Sequence, residues 1–347
     1  MKKIAVLFGG CSSEYEVSLQ SAYSVITNID RTKYTPVLIG INRKGNWFLF
    51  EGKEDTILND TWHQQKECYE AVISMDKRLH GIIVWKNGRE GKAEEIAISA
   101  ALPMLHGKNG EDGTVQGALE LAGIPVIGCN TVSSAVCMDK DMAHRLAKEA
   151  GVSVPKSILF SKDNQEKTEK LIGEIGYPVF VKPLRAGSSF GITKVDKKED
   201  LKEAMELAFS HDELVVVEEM IEGFEVGCAV LGKEELIVGE VDEIQLSQGF
   251  FDYTEKYTLK SSKIFVPARI SKEKAEEIKN TGKKIYKALG CSFFARVDMF
   301  LTPRGEIYFN EVNTIPGFTE HSRYPGMMKA AGLSLKEVVN RLIEMAV

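Results

Sequence analysis

Residues Ile4 to Phe8 (IAVLF) form a short apolar run stopped by Gly9-Gly10, followed by a helix-periodic stretch from Val17 to Ile29 and a second apolar run, VLIGI, from Val37 to Ile41. That succession restricts the architecture more than any other feature of the chain. A buried strand, a helix and another strand, each closed by glycine or a polar turn, argue for a parallel sheet with helices on its faces. The pattern recurs where AALPMLH enters a glycine-rich loop, then a helix from Val115 to Ala122, a stop at Gly123 and the run IPVIG. An N-terminal α/β unit over residues 1–129 is the expectation.

A chain of 347 residues has room for two or three domains. The second unit, 130–223, is expected to open with Thr131 as an N-cap and a helix from Asp139 to Ala150. The β-branched runs KSILF, VFVKP, ITKV and LVVVEEMI then alternate with helical stretches, which suggests a small α+β lobe. The third unit, 224–347, begins with EVGCAVLG and LIVGEV. An aperiodic polar and aromatic stretch from Asp242 to Lys263 reads as a lid, because loops that long inside compact domains are usually functional. A helix from Lys272 to Leu289, the pair FFARVDMFL and EIYFNEVN around a TPRG turn, and a C-terminal helix complete it.

The net charge of −6 offers no basic footprint, so nucleic acid is not an expected partner. No run approaches the ~18 apolar residues of a membrane span. The opening apolar run is too short for a signal peptide, and a cytoplasmic location is expected. The six scattered cysteines lack metal-type spacing and read as buried, reduced thiols.

Lys182 ends the strand VFVKP and precedes the loop RAGSSFG, whose N–H groups and hydroxyls can cradle phosphate oxygens. No GxxxxGK[ST] motif occurs. Asp298 in ARVDMF and Glu311 with Asn313 in FNEVN share one face if the two runs pair, because side chains alternate along a strand. Two carboxylates and an amide oxygen are hard donors suited to Mg²⁺. Arg296, two residues from Asp298, points to the same side. It could stabilise a developing oxyanion or form a salt bridge with one of the acids. Gly317 with Ser322 and Arg323 can hold a carboxylate. Glu14 and His106 lie in turns after apolar strands, where α/β proteins place ligand contacts.

Seven collinear motifs, GGCSSEYEVSL, LHGKNGEDGTVQG, MDKDMAH, VKPLRAGSSFGITKV, FFDYTEKY, ARVDMF and NEVNTIPGFTEHSRYP, resemble those of the D-alanine–D-alanine ligases of the ATP-grasp superfamily. The resemblance runs from residue 9 to about 326 and implies a three-domain ATP-grasp fold with ATP and Mg²⁺ as cofactors, two ions with Mn²⁺ as a possible substitute. It also implies a homodimer. Glu14 would bind the ammonium of the first D-alanine, supported by Ser188 and Tyr257, with His106 near that substrate's carboxylate. Lys140, Lys182 and Lys256 would contact ATP phosphates beneath the loop of Ser189. Glu218, Glu219 and Ile221 would meet adenine, and Glu225 the ribose. Asp298, Glu311 and Asn313 would hold Mg²⁺. Arg296 and the N–H of Gly317 would form an oxyanion site, while Ser322 and Phe251 would meet the second substrate.

Two positions depart from the housekeeping pattern. Ala186 replaces a usual glutamate. Arg323 replaces a usual apolar residue and can reach Asp242 in the lid. Together with the retained Tyr257, these features resemble the vancomycin-resistance D-alanine–D-serine ligases. D-Serine is therefore expected as acceptor before D-alanine, with D-lactate a distant third. A non-catalytic regulator on the same fold, or a ligase for another acceptor such as an L-amino acid, are the competing readings.

Overall fold

The computed structural model describes residues 1–163, 168–187, 191–245 and 263–347. In its first sheet the strand Lys2–Gly9 lies between Tyr34–Ile41 and Ala100–Pro103, parallel to both. Residues Ile4 to Phe8 are fully buried, and alternation divides them between two cores. Ile4, Val6 and Phe8 meet Leu19, Ala22, Val25 and Ile26 of the helix Tyr15–Asn28, whereas Ala5 and Leu7 meet Val115 and Leu119 of the helix Thr114–Leu121. Burial on both faces is why the run shows no polar alternation.

The stretch between Ile41 and Ser99 adds four antiparallel strands to the same sheet: Trp47–Phe50, Cys68–Ile73, Gly81–Trp85 and Glu94–Ala97. The run IPVIG, by contrast, contributes only one bridge, between Val126 and Ala101. Pro125 has no N–H to give to a ladder, and only its carbonyl is used, by Ala101.

The second sheet orders Thr193–Val195, Val179–Pro183, Leu214–Glu219 and Ser157–Ser161, all antiparallel. The third orders Lys263–Phe265, Asp242–Gln245, Phe224–Gly232, Phe293–Leu301 and Ile307–Asn313, with Leu236–Val238 paired at the end of Phe224–Gly232. The expectation of an aperiodic lid from Asp242 to Lys263 is corrected at both ends. Asp242–Gln245 and Lys263–Phe265 pair as strands, and residues 246–262 lie outside the described part.

Thr131 is not the N-cap. Asn130 is, accepting from the N–H of Ser133, and a helix Thr131–Met138 precedes the expected one at Lys140–Glu149, which Asp139 caps. Asparagine and aspartate fill this position well because a short side-chain oxygen reaches an otherwise unpaired helix N–H. Both helices bury Cys137, Ala143 and Ala147 against the third sheet. The chain ends in two helices rather than one, Arg323–Ala330 and Leu335–Glu344, the latter opened by a Ser334/Glu337 capping box. Four cysteines are buried as expected, but Cys11 is exposed and Cys68 only half-buried. Among the described residues no helix is long and apolar enough to cross a membrane.

The first and third sheets share one core. Phe8, Trp62 and Leu102 belong to the same cluster as Leu231, Phe294, Phe318, Tyr324 and Leu342. Phe294 packs edge-on against Phe318 at 5.2 Å and Tyr324 at 6.1 Å. Asn340 on the last helix accepts from the N–H of Asp30 and donates to the carbonyl of Asn28, satisfying groups at the end of the first helix. Replacing Phe294 by alanine is expected to cost about 3–5 kcal/mol of stability, read as a lower urea midpoint for the unfolding of both regions together.

Candidate active site

The strands Phe293–Leu301 and Ile307–Asn313 run antiparallel in the register Arg296↔Asn313 and Asp298↔Glu311. The four side chains singled out from sequence therefore sit as cross-strand neighbours. The register then slips between Asp298 and Met299, leaving Asn310 as an extra residue. Such a bulge re-aims side chains, and Asn310 and Glu311 both line the same cavity. That cavity, about 330 Å³, opens between the second and third sheets. Lys140, Lys182, Glu218, Glu219, Ile221 and Glu225 line it, together with Arg296, Asp298, Glu311 and Arg323. Asn313 and Glu14 line an adjoining hollow that shares Lys140, Ala186 and Glu311 with it.

Its third-sheet wall is a cluster of paired charges. Arg296 donates to both oxygens of Asp298, Nε at 2.8 Å and Nη2 at 2.6 Å. Of the two roles open to Arg296 from sequence, the salt bridge is the one present. Asn313 Nδ2 donates to Asp298 Oδ2 at 3.0 Å. Arg323 grips Asp242 through Nε at 2.7 Å and Nη2 at 2.9 Å, and reaches Glu225 through Nη1 at 2.5 Å. The contact between Arg323 and Asp242 was expected, but Asp242 makes it from a fully buried strand position. Burial pushes the Glu225 carboxyl above its usual range, and nearby Asp298 adds to this against the pull of Arg323. Asp298 in turn holds Arg296 protonated despite its burial.

On the opposite wall, Lys182 Nζ donates to Glu218 Oε2 at 2.5 Å. Burial alone would raise the Glu218 carboxyl, yet Lys182, His144 and Lys140 together hold it below its ordinary value. Lys140 Nζ donates to the carbonyl of Ala186 at 2.9 Å, which ties the glycine loop to the start of its helix. The Glu219 carboxylate accepts from the N–H of Lys156 and so turns partly away from the cavity.

The Glu14 carboxylate lies between two glycine loops. A Cβ at Gly107 would come within 2.6 Å of its Oε2, and one at Gly187 within 3.3 Å. Gly107 also has φ +69°, so both space and backbone require glycine there. His106 is sealed, with Nδ1 bonded to the carbonyl of Ile315 and Nε2 to the hydroxyl of Ser21; it ties the first unit to the third. Glu111, not singled out from sequence, makes the same tie by accepting from the N–H groups of Gly107 and Ile315. Gly317 adjoins Ser322, whose hydroxyl is 2.7 Å from that of Thr319. Ser188, Ser189, Phe251, Lys256 and Tyr257 lie outside the described residues. His144 and Asn310 were also missed, because a histidine on a helix and an asparagine in a strand carry no spacing signal.

The donors present suit a divalent cation. Asp298 and Glu311 face each other across the ladder, and Asn313 supplies an amide beside them. Among the described residues no three His, Cys, Asp or Glu side chains form a complete metal cage. Mg²⁺ takes one or two carboxylates and completes its shell with water and substrate phosphates.

A lysine-lined cavity between two antiparallel sheets, closed on one side by acids and arginines, belongs to an ATP-dependent ligase of the ATP-grasp class. Models of the D-ala D-ala ligase N-terminus and C-terminus match residues 3–129 and 146–344. The chain belongs to the D-alanine–D-alanine ligase family, whose members form carbon–nitrogen bonds with release of ADP and use ATP with a divalent metal. The vancomycin/teicoplanin A-type resistance protein VanA of Enterococcus faecium is 47% identical over 99% of this chain and 98% of its own length. A D-alanine–D-alanine ligase of Caldicellulosiruptor bescii is 42% identical over 99% and 95%. The crystal structure of the VanG D-Ala:D-Ser ligase from Enterococcus faecalis superposes with a TM-score of 0.93 at 57% identity, covering 100% of this chain and 99% of that one.

Breaking a buried ion pair by removing one partner is costly. Arg323→Leu strips the cation from Asp242 and is expected to lower unfolding free energy by about 3–5 kcal/mol. The double variant Arg323→Leu/Asp242→Leu should recover part of that loss, the remainder being the contact that Glu225 also loses. Urea unfolding of the wild type and the two variants checks it.

Proposed function

We propose that the chain couples D-alanine to D-serine through a D-alanyl phosphate, for peptidoglycan precursor synthesis and vancomycin resistance. The observation that carries the reading is one cavity holding Lys140 and Lys182 on one wall and Asp298, Glu311 and Arg296 on the other. ATP binds between units 130–223 and 224–347, and unit 1–129 supplies Glu14 to the ammonium of the first D-alanine. Lys140, Lys182 and Lys256 hold phosphate oxygens, with Glu218, Glu219, Ile221 and Glu225 around the nucleoside. Asp298, Glu311 and Asn313 hold Mg²⁺, two ions in all, with Mn²⁺ as a substitute. When bound, the metal neutralises charge on the phosphates. The rest of phosphoryl transfer is positioning by these side chains.

The amine of the second amino acid then attacks the acyl phosphate, and phosphate leaves. Arg296 and the N–H of Gly317 meet the tetrahedral oxyanion, while Ser322 takes the acceptor carboxylate. On this reading, the residues between Gln245 and Lys263, Tyr257 and Phe251 among them, are the part of the chain that excludes water from the acyl phosphate. The enzyme acts as a homodimer in the cytoplasm. The D-serine preference rests on Arg323 with Asp242, which makes the acceptor end polar. A site built for a hydroxyl leaves groups unpaired when D-alanine binds, at about 1–3 kcal/mol each. The likeness to the VanG ligase supports the same acceptor.

In a competition between D-serine and D-alanine, the D-serine dipeptide is expected to predominate; a D-alanyl-D-alanine product would identify a housekeeping ligase instead. Arg323→Leu should move the kcat/KM ratio towards D-alanine by about tenfold. Because the ratio is internal to one preparation, lost stability cancels, and an unchanged ratio removes the role given to Arg323. Glu311→Gln should abolish phosphate release, and wild-type rates in that variant would remove the metal assignment.

A further inference from the structure

Behind Lys182, two buried side-chain atoms lack a hydrogen-bond partner: Nδ1 of His144 and Oε1 of Glu218. They stand 3.8 Å apart, on side chains only 4% and 3% exposed. The other ring nitrogen, Nε2, is 2.8 Å from the carbonyl of Asn310. A carbonyl can only accept, so Nε2 carries a hydrogen. With that hydrogen fixed, a neutral ring turns the Nδ1 lone pair towards a carboxylate oxygen, whereas an imidazolium turns an N–H towards it. Unpaired buried polar atoms are rare and unfavourable. These two are neighbours at 3.8 Å, and the protonated ring is the state that can pair them.

The surroundings leave Glu218 as the group to be served. It gives its other oxygen to Lys182 at 2.5 Å. The strand Ile307–Asn313 presents only the Asn310 carbonyl and the ring of Phe309, edge-on at 5.3 Å. Lys140, four residues earlier on the helix of His144, is a further cation whose field reaches Glu218. An ammonium has three N–H donors, but as Lys182 moves towards a phosphate oxygen less of its charge remains at Glu218. If it turns to a phosphate oxygen, Glu218 is left nearly sealed from solvent without its closest cation, which is unfavourable.

We propose that His144 is a positioning residue for the nucleotide, replacing Lys182 as the cation of Glu218 when Lys182 turns to a phosphate. This rests on the nucleotide reading of the cavity given above. The step breaks the Lys182–Glu218 hydrogen bond and forms one from Lys182 to phosphate. One proton passes from solvent to Nδ1, which donates to Glu218 Oε1; no covalent bond changes in the substrate. His144 thereby connects the phosphate-binding lysine on one wall with the bulge beside Glu311 on the other.

The test is calorimetric titration of the full-length protein with Mg-ADP near pH 8, where the nucleotide is essentially fully ionised, in two buffers of unlike ionisation enthalpy. Wild type should take up about one proton on binding. His144→Gln, which can keep an N–H for Asn310 but has no ionisable ring, should take up none. Its KM for ATP should rise about tenfold while kcat stays within about twofold, the loss of one charge-assisted bond on binding. His144→Asn, with an amide N–H close to the place of Nδ1, should recover much of that KM. Mg-ADP binding to wild type without proton uptake overturns the proposal irrespective of any variant. Equal uptake in wild type and His144→Gln overturns it too. Absence of Mg-ADP binding overturns instead the nucleotide reading, and the proposal with it.

Discussion

Two arginines, Arg296 and Arg323, lie among Asp298, Asp242 and Glu225 on the third sheet, and all but Glu225 are less than a tenth exposed. Isolated charges at such depth would be prohibitive, and each is tolerable only because fork-like guanidinium–carboxylate pairs satisfy it. The network has two cations against three acids, so it is short of positive charge before Glu311 is considered. Burial lifts the Glu225 carboxyl above its usual range, and the charge of nearby Asp298 adds to this. The excess of acids over arginines suits a bound cation on this wall. The sheet holds the charges in place, and the charges in turn require the sheet to stay dry.

The remainder of the architecture keeps that wall in position. The core shared by the first and third sheets makes the N-terminal α/β unit a fixed partner of the strands that carry Asp298 and Glu311. His106 and Glu111 fasten its glycine loop to Ile315, four residues past Glu311. Across the cavity, the helix Lys140–Glu149 is packed on the third sheet, yet its lysine holds the carbonyl of Ala186 in the loop of the second. Both ends of the ligand site are therefore referenced to one rigid element. Preorganisation of this kind suits phosphoryl and acyl transfer, in which positioning and electrostatics carry most of the work.

The alternation of strand and helix, the apolar run IAVLF and the pair ARVDMF/FNEVN were legible from residue order because each is a local period. Alternation placed Arg296 with Asp298 and Glu311 with Asn313, and the ladder register set them opposite one another. The extra strands between Ile41 and Ser99 were not legible, since the short apolar runs WFLF and GIIVW are isolated among polar residues and CYEAVI and EEIA mix polar and apolar types without a clean period. Asp242 read as loop because one aspartate before a polar stretch is ordinary turn chemistry. Only its pairing with Gly227 across the ladder, and the arrival of Arg323, make it a buried strand residue.

Residue order alone determined the family motifs, the strand faces of Asp298, Glu311 and Asn313 and the glycines that local backbone geometry demands, because all of these depend on neighbours a few positions away. Tertiary structure decided what each charge is paired with: Arg296 with Asp298, Arg323 with Asp242 and Glu225, Lys182 with Glu218, and His144 between Glu218 and Asn310. Those partners lie up to 166 positions apart. A charge's energy depends on what surrounds it in space, and sequence distance carries no information about that.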